Sequence, residues 1–464
     1  MPSMSRRDLV PSAISSYARG SHEKVRTEMS HRPPMSRLTG LSAPVAVAEV
    51  ELTGPLAAQI REPQTAAGHA LVLVRLHGVV VGVVILPRPS EPDSAERLAE
   101  LVWNEFRREI LDHLAGDGAQ PIDSINPAGL SSADAGICIR DHDAAAEAPL
   151  MSVVIATRDR TDLLATCLDS MSTLDHRNVE IIVVDNAPAT SATADLLAAS
   201  YPSVRYVRED VAGLARAHNR GIAAASGSIV AFTDDDVVVD SGWLTRIAEA
   251  FATSPEVGAV TGLIFPRELE TEAQLLLERH GGFTKGFRTT AFDLASNRPD
   301  DALFPLTVGQ IGSGANMAYD TELLRAIGGF DPALGTGTPA RGGDDLSGLL
   351  EVLLAGRRIV FEPSAVVHHR HRRSMHDLAA QAEGYGTGLG AYLTAAFRSH
   401  PMLFVRMTPM VLTGARYAFS DQSGRNANRY DGWPPGLDRA ERRGLATGPL
   451  AYLRSRRHLA GATR

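Results

Sequence analysis

Three consecutive carboxylates, Asp234, Asp235 and Asp236, follow the apolar run Ile229 to Phe232 in the stretch I-V-A-F-T-D-D-D-V-V-V-D. Side chains alternate faces along an extended chain, so Asp234 and Asp236 can point the same way. Adjacent negative charges repel, and the arrangement is costly unless a cation compensates it. Carboxylate oxygens suit magnesium, manganese or calcium. Alone, D-D-D also reads as a solvated acidic turn. Two further clusters count against that reading. R-G-G-D-D-L places Asp344 and Asp345 at the opening of a helix through Leu349, Leu350, Leu353 and Leu354, where simple capping would also favour carboxylates. V-V-H-H-R-H-R-R holds His368, His369 and His371, a better metal-ligand candidate than any lone histidine.

The elements that must position these groups alternate in type. From Leu150 the pattern predicts a strand at Met151 to Ala156, a helix through Leu163 to Met171, and a strand at Glu180 to Val184. A helix at Asp195 to Ala199, a strand at Val204 to Val207, a helix at Gly213 to Ala225 and the strand Ile229 to Phe232 follow. Such alternation predicts an α/β fold, a mostly parallel sheet flanked by helices on both faces. Three of its strands end in polar groups, at Thr157-Arg158-Asp159, Asp185-Asn186 and Asp234 to Asp236, and ligands gather at such strand ends. No G-x-G-x-x-G follows the first strand, which weakens a dinucleotide-binding reading. The Gly-rich V-G-Q-I-G-S-G-A-N-M-A, ending at Ala318, lets backbone approach a substrate closely.

Around this core the reading places a disordered segment over residues 1–44, a small α+β unit over 45–118, a linker over 119–148 and a helical, Arg-rich region over 376–464, leaving 149–375 as the main domain. The small unit has a hairpin turning at His77-Gly78 and a helix capped near Asp93 or Ser94, and shows no catalytic constellation. The net charge of −8 argues against general nucleic-acid binding. From Pro401 onward, however, eleven Arg stand against four acidic residues, a basic balance suited to peripheral contact with an acidic membrane surface or to solubility alone. Two cysteines, Cys138 and Cys167, without C-x-x-C spacing point to a reducing cytoplasm.

Together, M-S-V-V-I-A-T-R-D-R, V-E-I-I-V-V-D-N-A, G-L-A-R-A-H-N-R-G, F-T-D-D-D-V-V-V-D-S-G-W, G-S-G-A-N-M-A, G-G-F-D-P and G-G-D-D-L resemble the family 2 glycosyltransferases over about residues 150–375. The resemblance implies a GT-A fold and inverting transfer of a sugar from a nucleotide donor, a UDP-sugar by expectation, with Mn2+ or Mg2+. It implies that Thr157, Arg158 and Asp159 line the nucleotide pocket with Asn186, and that Asp185 contacts the base. Arg216 and Asn219 would sit near the ribose or phosphates. Asp234 to Asp236 match the D-x-D of the family, with Asp234 and Asp236 as metal ligands, Asp235 beside the donor, and His369 completing the site. Asp345 takes the general-base position of G-G-E-D, and Asp344 stands where Glu is usual. His218 replaces a frequent Arg. The absence of Q-x-x-R-W favours transfer of one sugar to a glycan, lipid-linked or small-molecule acceptor. A nucleotidyltransferase, and a catalytically inactive sugar-nucleotide-binding protein, are the alternatives.

Overall fold

The computed structural model describes residues 38–59, 67–131, 148–405 and 433–462. The sequence expectations for residues 1–37, for most of the 119–148 segment and for Cys138 lie outside these residues.

A nine-stranded mixed sheet forms the centre, with strands in the order β10-β12-β9-β11-β7-β4-β5-β6 and β8 pairing β12. Here β4 is Met151–Thr157, β5 Val179–Asn186, β6 Arg205–Glu209, β7 Ile229–Asp234, β8 Val237–Val239, β9 Val257–Pro266, β10 Thr290–Phe292, β11 Met317–Asp320 and β12 Arg358–His369. Strands β6, β5, β4 and β7 run parallel, as their alternation with helices requires. Their side chains divide between two cores with a period of two: Val153, Ile155, Val183 and Ala231 face one, Val154, Ile182, Val184 and Phe232 the other. Burial on both faces explains why β4, β5 and β7 read as largely apolar runs, whereas the edge strand β6, R-Y-V-R-E, does not.

The other half of the sheet departs from the parallel pattern. The end of the Gly-rich segment is itself a strand, β11, antiparallel to both β7 and β9. Residues 358–369 form one long strand, β12, parallel to β9 and interrupted by a register shift between Glu362 and Val366. Pro363 lies in that shift, where its missing N–H removes no ladder bond.

The small unit is a three-stranded sheet of β1 (Ala46–Glu51), β2 (His69–Leu76) and β3 (Val79–Pro87), with β1 parallel to β2. The helix Ser94–Gly116 covers one face with Leu98, Val102, Ile110 and Leu114. Residues 119–131 pack there too, through Ile125 and Leu130. The opposite face, with Leu71, Leu73, Val80 and Val83, shares a core with Leu263, Phe265 and Val366 of the central sheet, and buried Leu38 joins it. Polar ties fasten the same seam: His368 Nε2 meets Glu49 at 2.7 Å and Arg75 meets Asp240 at 3.0 Å.

At the other end, the helices Met375–Ser399 and Pro435–Ala462 pack closely because glycines face each other. A Cβ at Gly386 would enter the Glu441 carbonyl, and one at Gly444 the Glu383 carbonyl. G-Y-G-T-G-L-G is therefore a helix-contact stripe, and its Gly388 also backs onto the turn Gly342-Gly343 that starts the helix Asp344–Leu354. Among the described residues no helix is long and apolar enough to cross a membrane.

Candidate active site

Strand register brings the expected groups to one end of the sheet: Thr157 stands beside Asp185, and Ala156 beside Asp234. Strand β12 arrives on the far side of β8, pairing His369 with Val237, and so places the histidine next to the carboxylates. Asp234, Asp236 and His369 converge, with one ligating atom from each within 4.8 Å of the others. Burial, and then the charges of Asp236, Asp235 and Asp344, push the Asp234 carboxyl well above its usual range. A nearby cation would favour the ionised form of this crowded, half-buried carboxyl.

The orientation of His369 is fixed from behind. His371 Nε2 lies 2.6 Å from Glu278 Oε1, and the two ring Nδ1 atoms of His369 and His371 are 3.0 Å apart. Glu278 and His371 are fully buried. A carboxylate only accepts, so Nε2 of His371 carries hydrogen, and a neutral His371 then accepts at Nδ1 from His369. His369 Nε2 is left facing Asp236 Oδ1 at 3.4 Å. This is the nitrogen through which an imidazole with a hydrogen-bonded back side binds a metal. Burial opposes ionisation of Asp236, yet His369, with Arg160 and Arg372, holds its carboxyl well below the usual range. Phe283 packs on both imidazoles, at 5.2 and 5.6 Å between ring centres.

The middle carboxylate has another task. Asp235 accepts from Thr157 Oγ1 at 2.8 Å and pairs with Arg160 at 2.5 Å, and Arg160 also reaches Asp236 at 3.0 Å. Thr157 and Asp235 are both buried and satisfied by each other. Their side chains are tied to each other and, through Asp235, to Arg160. Burial still lifts Asp235 to about 6 against the pull of Arg160.

Several nucleotide-pocket expectations separate in the same way. Asn186 donates to Val211 O and accepts from Gly213 N, both at 2.9 Å, so its amide holds the 211–213 loop. Asn219 donates to Phe330 O at 2.8 Å and accepts from Phe330 N at 2.9 Å, clamping the G-G-F-D-P turn. Each amide thus gives one hydrogen bond and accepts one within the fold, and keeps a second N–H and a second oxygen lone pair. Asp185 differs: Tyr206 occupies Oδ2 at 3.1 Å, while Oδ1 is buried with no hydrogen-bond partner among the described residues. Burial raises its carboxyl. Arg216 Nε is likewise buried and unpartnered. Arg158 and Asp159 are exposed, with Asp159 accepting from Ala189 N at 3.0 Å.

The two carboxylates at the start of the 344–354 helix point apart. Asp344 is buried, its Oδ2 3.5 Å from Nδ1 of His218, a ring packed between Phe232 and Phe330. Neither of those two atoms has a hydrogen-bond partner among the described residues. Half-buried Asp345 accepts from Leu346 N at 2.8 Å and Gly314 N at 3.1 Å, which ties the Gly-rich segment to it. Burial first, then Asp344, raises its carboxyl to about 6, against those two hydrogen bonds and the positive charge of Lys285. A base with that value is ionised at neutral pH and still able to take a proton.

Sequence reasoning overlooked Arg160, Glu278 and Lys285. Arg160 was visible within T-R-D-R. Lys285 carried a compositional signal, being one of two lysines in a chain with 46 Lys plus Arg. Glu278 left none, because only the fold brings it beneath His371. His368, by contrast, faces the small unit and has no part in the site, since alternation along β12 turns it away from His369.

Residues 152–328 match the model of the family described as glycosyl transferase family 2. The chain is 28% identical over 266 residues to the pre-mycofactocin glycosyltransferase of Mycobacterium tuberculosis, covering 57% of this chain and 50% of that protein. It is 35% identical over 110 residues to the uncharacterized glycosyltransferase YibD of Escherichia coli, covering 23% and 32%. The matched region thus spans half or less of the length of these relatives. Among solved structures, a mannosyltransferase from Pyrobaculum calidifontis in complex with GDP-Man and Mn2+ aligns with a TM-score of 0.40 at 19% identity, over 68% of this chain and 86% of that one. The sheet end that carries Thr157, Asp185, Asp234 and Asp236 lies within residues 152–328, the part of the chain that matches the glycosyl transferase family 2 model.

Proposed function

We propose that this chain transfers a single sugar from a nucleoside-diphosphate sugar to an acceptor hydroxyl, with inversion at the anomeric carbon and with a divalent ion bound. The observation that carries the reading is the convergence of Asp234 at the end of β7, Asp236 in the turn before β8 and His369 at the end of β12, with His369 oriented from behind by His371 and Glu278. These residues would hold Mn2+ or Mg2+, which supplies charge neutralisation for the departing diphosphate. The orphaned Oδ1 of Asp185 suits a donor group on a base, and the unpartnered Nε of Arg216 suits a ribose or phosphate oxygen. Asp345 takes the proton of the acceptor hydroxyl. The acceptor oxygen bonds to the anomeric carbon as the bond to the diphosphate oxygen breaks, and a single displacement inverts that centre. UDP is the proposed nucleotide, and glycan, lipid-linked and small-molecule acceptors all present the hydroxyl required.

The test is thermal stabilisation by UDP and by GDP, each with and without Mn2+. The expected result is stabilisation by UDP that needs the ion, and its loss in Asp236→Ala. Equal stabilisation in the presence of a chelator would refute the metal assignment, and stabilisation by GDP alone would reassign the donor. Release of inorganic pyrophosphate in place of a nucleoside diphosphate would favour a nucleotidyltransferase.

A further inference from the structure

A second convergence of ligating groups lies in the small unit, where the sequence alone shows no constellation. His77, His113 and Asp117 are 36 and 40 residues apart in pairs with His77, yet meet in space. His77 Nδ1 lies 2.8 Å from Asp117 Oδ2 and 3.1 Å from His113 Nε2, and His113 Nε2 lies 3.1 Å from the same Asp117 oxygen. The three side chains are 10%, 17% and 14% exposed, enough to leave one open side.

Rigid elements hold each group. His77 occupies the tight turn between β2 and β3 with φ 54°. Glu51 locks that turn by accepting from His77 N at 3.0 Å and Gly78 N at 2.8 Å. Arg246 of the central domain donates to the His77 carbonyl at 3.0 Å. His113 and Asp117 stand four residues apart at the end of the 94–116 helix, so both project from one side of it.

We propose that His77, His113 and Asp117 form a zinc site that fastens the hairpin turn to the helix end, separate from the carboxylates of the central sheet. Two imidazole nitrogens and one carboxylate oxygen are a zinc donor set, and three protein ligands leave a fourth position for water. The nearly equilateral triangle of donors fits that ion. With bonds of about 2.0–2.1 Å, zinc sits roughly 1 Å above the plane of the three atoms, on the open side. Protons alone satisfy the cluster poorly. If both facing nitrogens carry hydrogen, the two N–H groups crowd each other at 3.1 Å. If one does not, its lone pair faces the carboxylate oxygen. A cation resolves both conflicts.

The test is a zinc titration of the full chain against a chromophoric chelator, in an Asp236→Ala background that disables the other cluster. One equivalent is expected. His77→Asn keeps a side chain that tolerates the left-handed backbone, and His113→Ala removes a helical ligand. Each is expected to weaken zinc binding at least 10-fold, since loss of an outer partner alone costs about 10–100-fold. Cobalt bound in place of zinc is expected to show visible ligand-field bands that disappear in both variants. Should either variant fail to fold by circular dichroism, Asp117→Asn reads the same ligand loss. Absence of zinc binding in Asp236→Ala, or unchanged stoichiometry and affinity in the ligand variants, overturns the site.

Discussion

Replacement of Asp345 by Asn separates a base from a cap. Its carboxyl is raised from 3.8 to about 6, by burial first and then by Asp344. The folded state therefore holds this proton more tightly than the unfolded state. As pH rises from about 4 to about 6 the unfolded chain ionises first, folding stability falls, and above that window the cost is constant. At about 1.4 kcal/mol per unit, the full cost is roughly 3 kcal/mol, and about 2 kcal/mol of it appears between about pH 4.5 and pH 7.5. Asn does not ionise, so it escapes this cost. It gives up one acceptor toward Leu346 N or Gly314 N, worth about 1 kcal/mol at either pH. Asp345→Asn is thus expected to gain about 2 kcal/mol relative to the parent between the lower and the higher pH, read by urea denaturation at both. Over the same range transfer by the parent should fall away below about 6, and the variant should lose roughly 10²–10⁴ in rate at every pH while keeping donor affinity. A variant with near-parental rate, or one equally destabilised at both pH values, refutes the reasoning.

Glu278→Gln leaves His371 hydrogen-bonded but removes the charge that orients the pair behind His369, and is expected to weaken Mn2+ binding by about 10–100-fold in a direct metal titration, with unchanged affinity for the metal-free nucleotide. Asn219→Ala breaks both hydrogen bonds to Phe330 and leaves buried backbone groups unpaired. The expected result is a loss of about 1–3 kcal/mol in denaturation with nucleotide affinity nearly unchanged, and a large loss of nucleotide affinity without loss of stability would return Asn219 to the donor pocket.

Much of the site was legible because its groups are set by local pattern. The apolar run before Asp234, the alternation of strand and helix, and the carboxylates opening the helix at 344 are features of neighbouring residues, and a period of two or 3.6 reads them directly. That alternation also foretold the parallel half of the sheet from β6 to β7. The antiparallel insertion of β11 escaped it, because a four-residue strand after a long Gly-rich excursion carries little periodicity. Which polar groups are free depends on partners distant in sequence. Asn186 and Asn219 look like donor contacts in a one-dimensional reading, and only the fold shows that the 211–213 loop and the 328–332 turn each engage one of these amides. Asp344 and Asp345 are adjacent in the chain, and only tertiary packing turns one toward buried His218 and the other toward Gly314. The likeness of His368 and His369 in sequence is broken by strand alternation once β12 lies between the small unit and the carboxylates. Residue types and their order determined the chemistry that was available. Burial, register and long-range hydrogen bonds decided which atoms remain free to perform it, because an orphaned oxygen or nitrogen is a property of its surroundings in space.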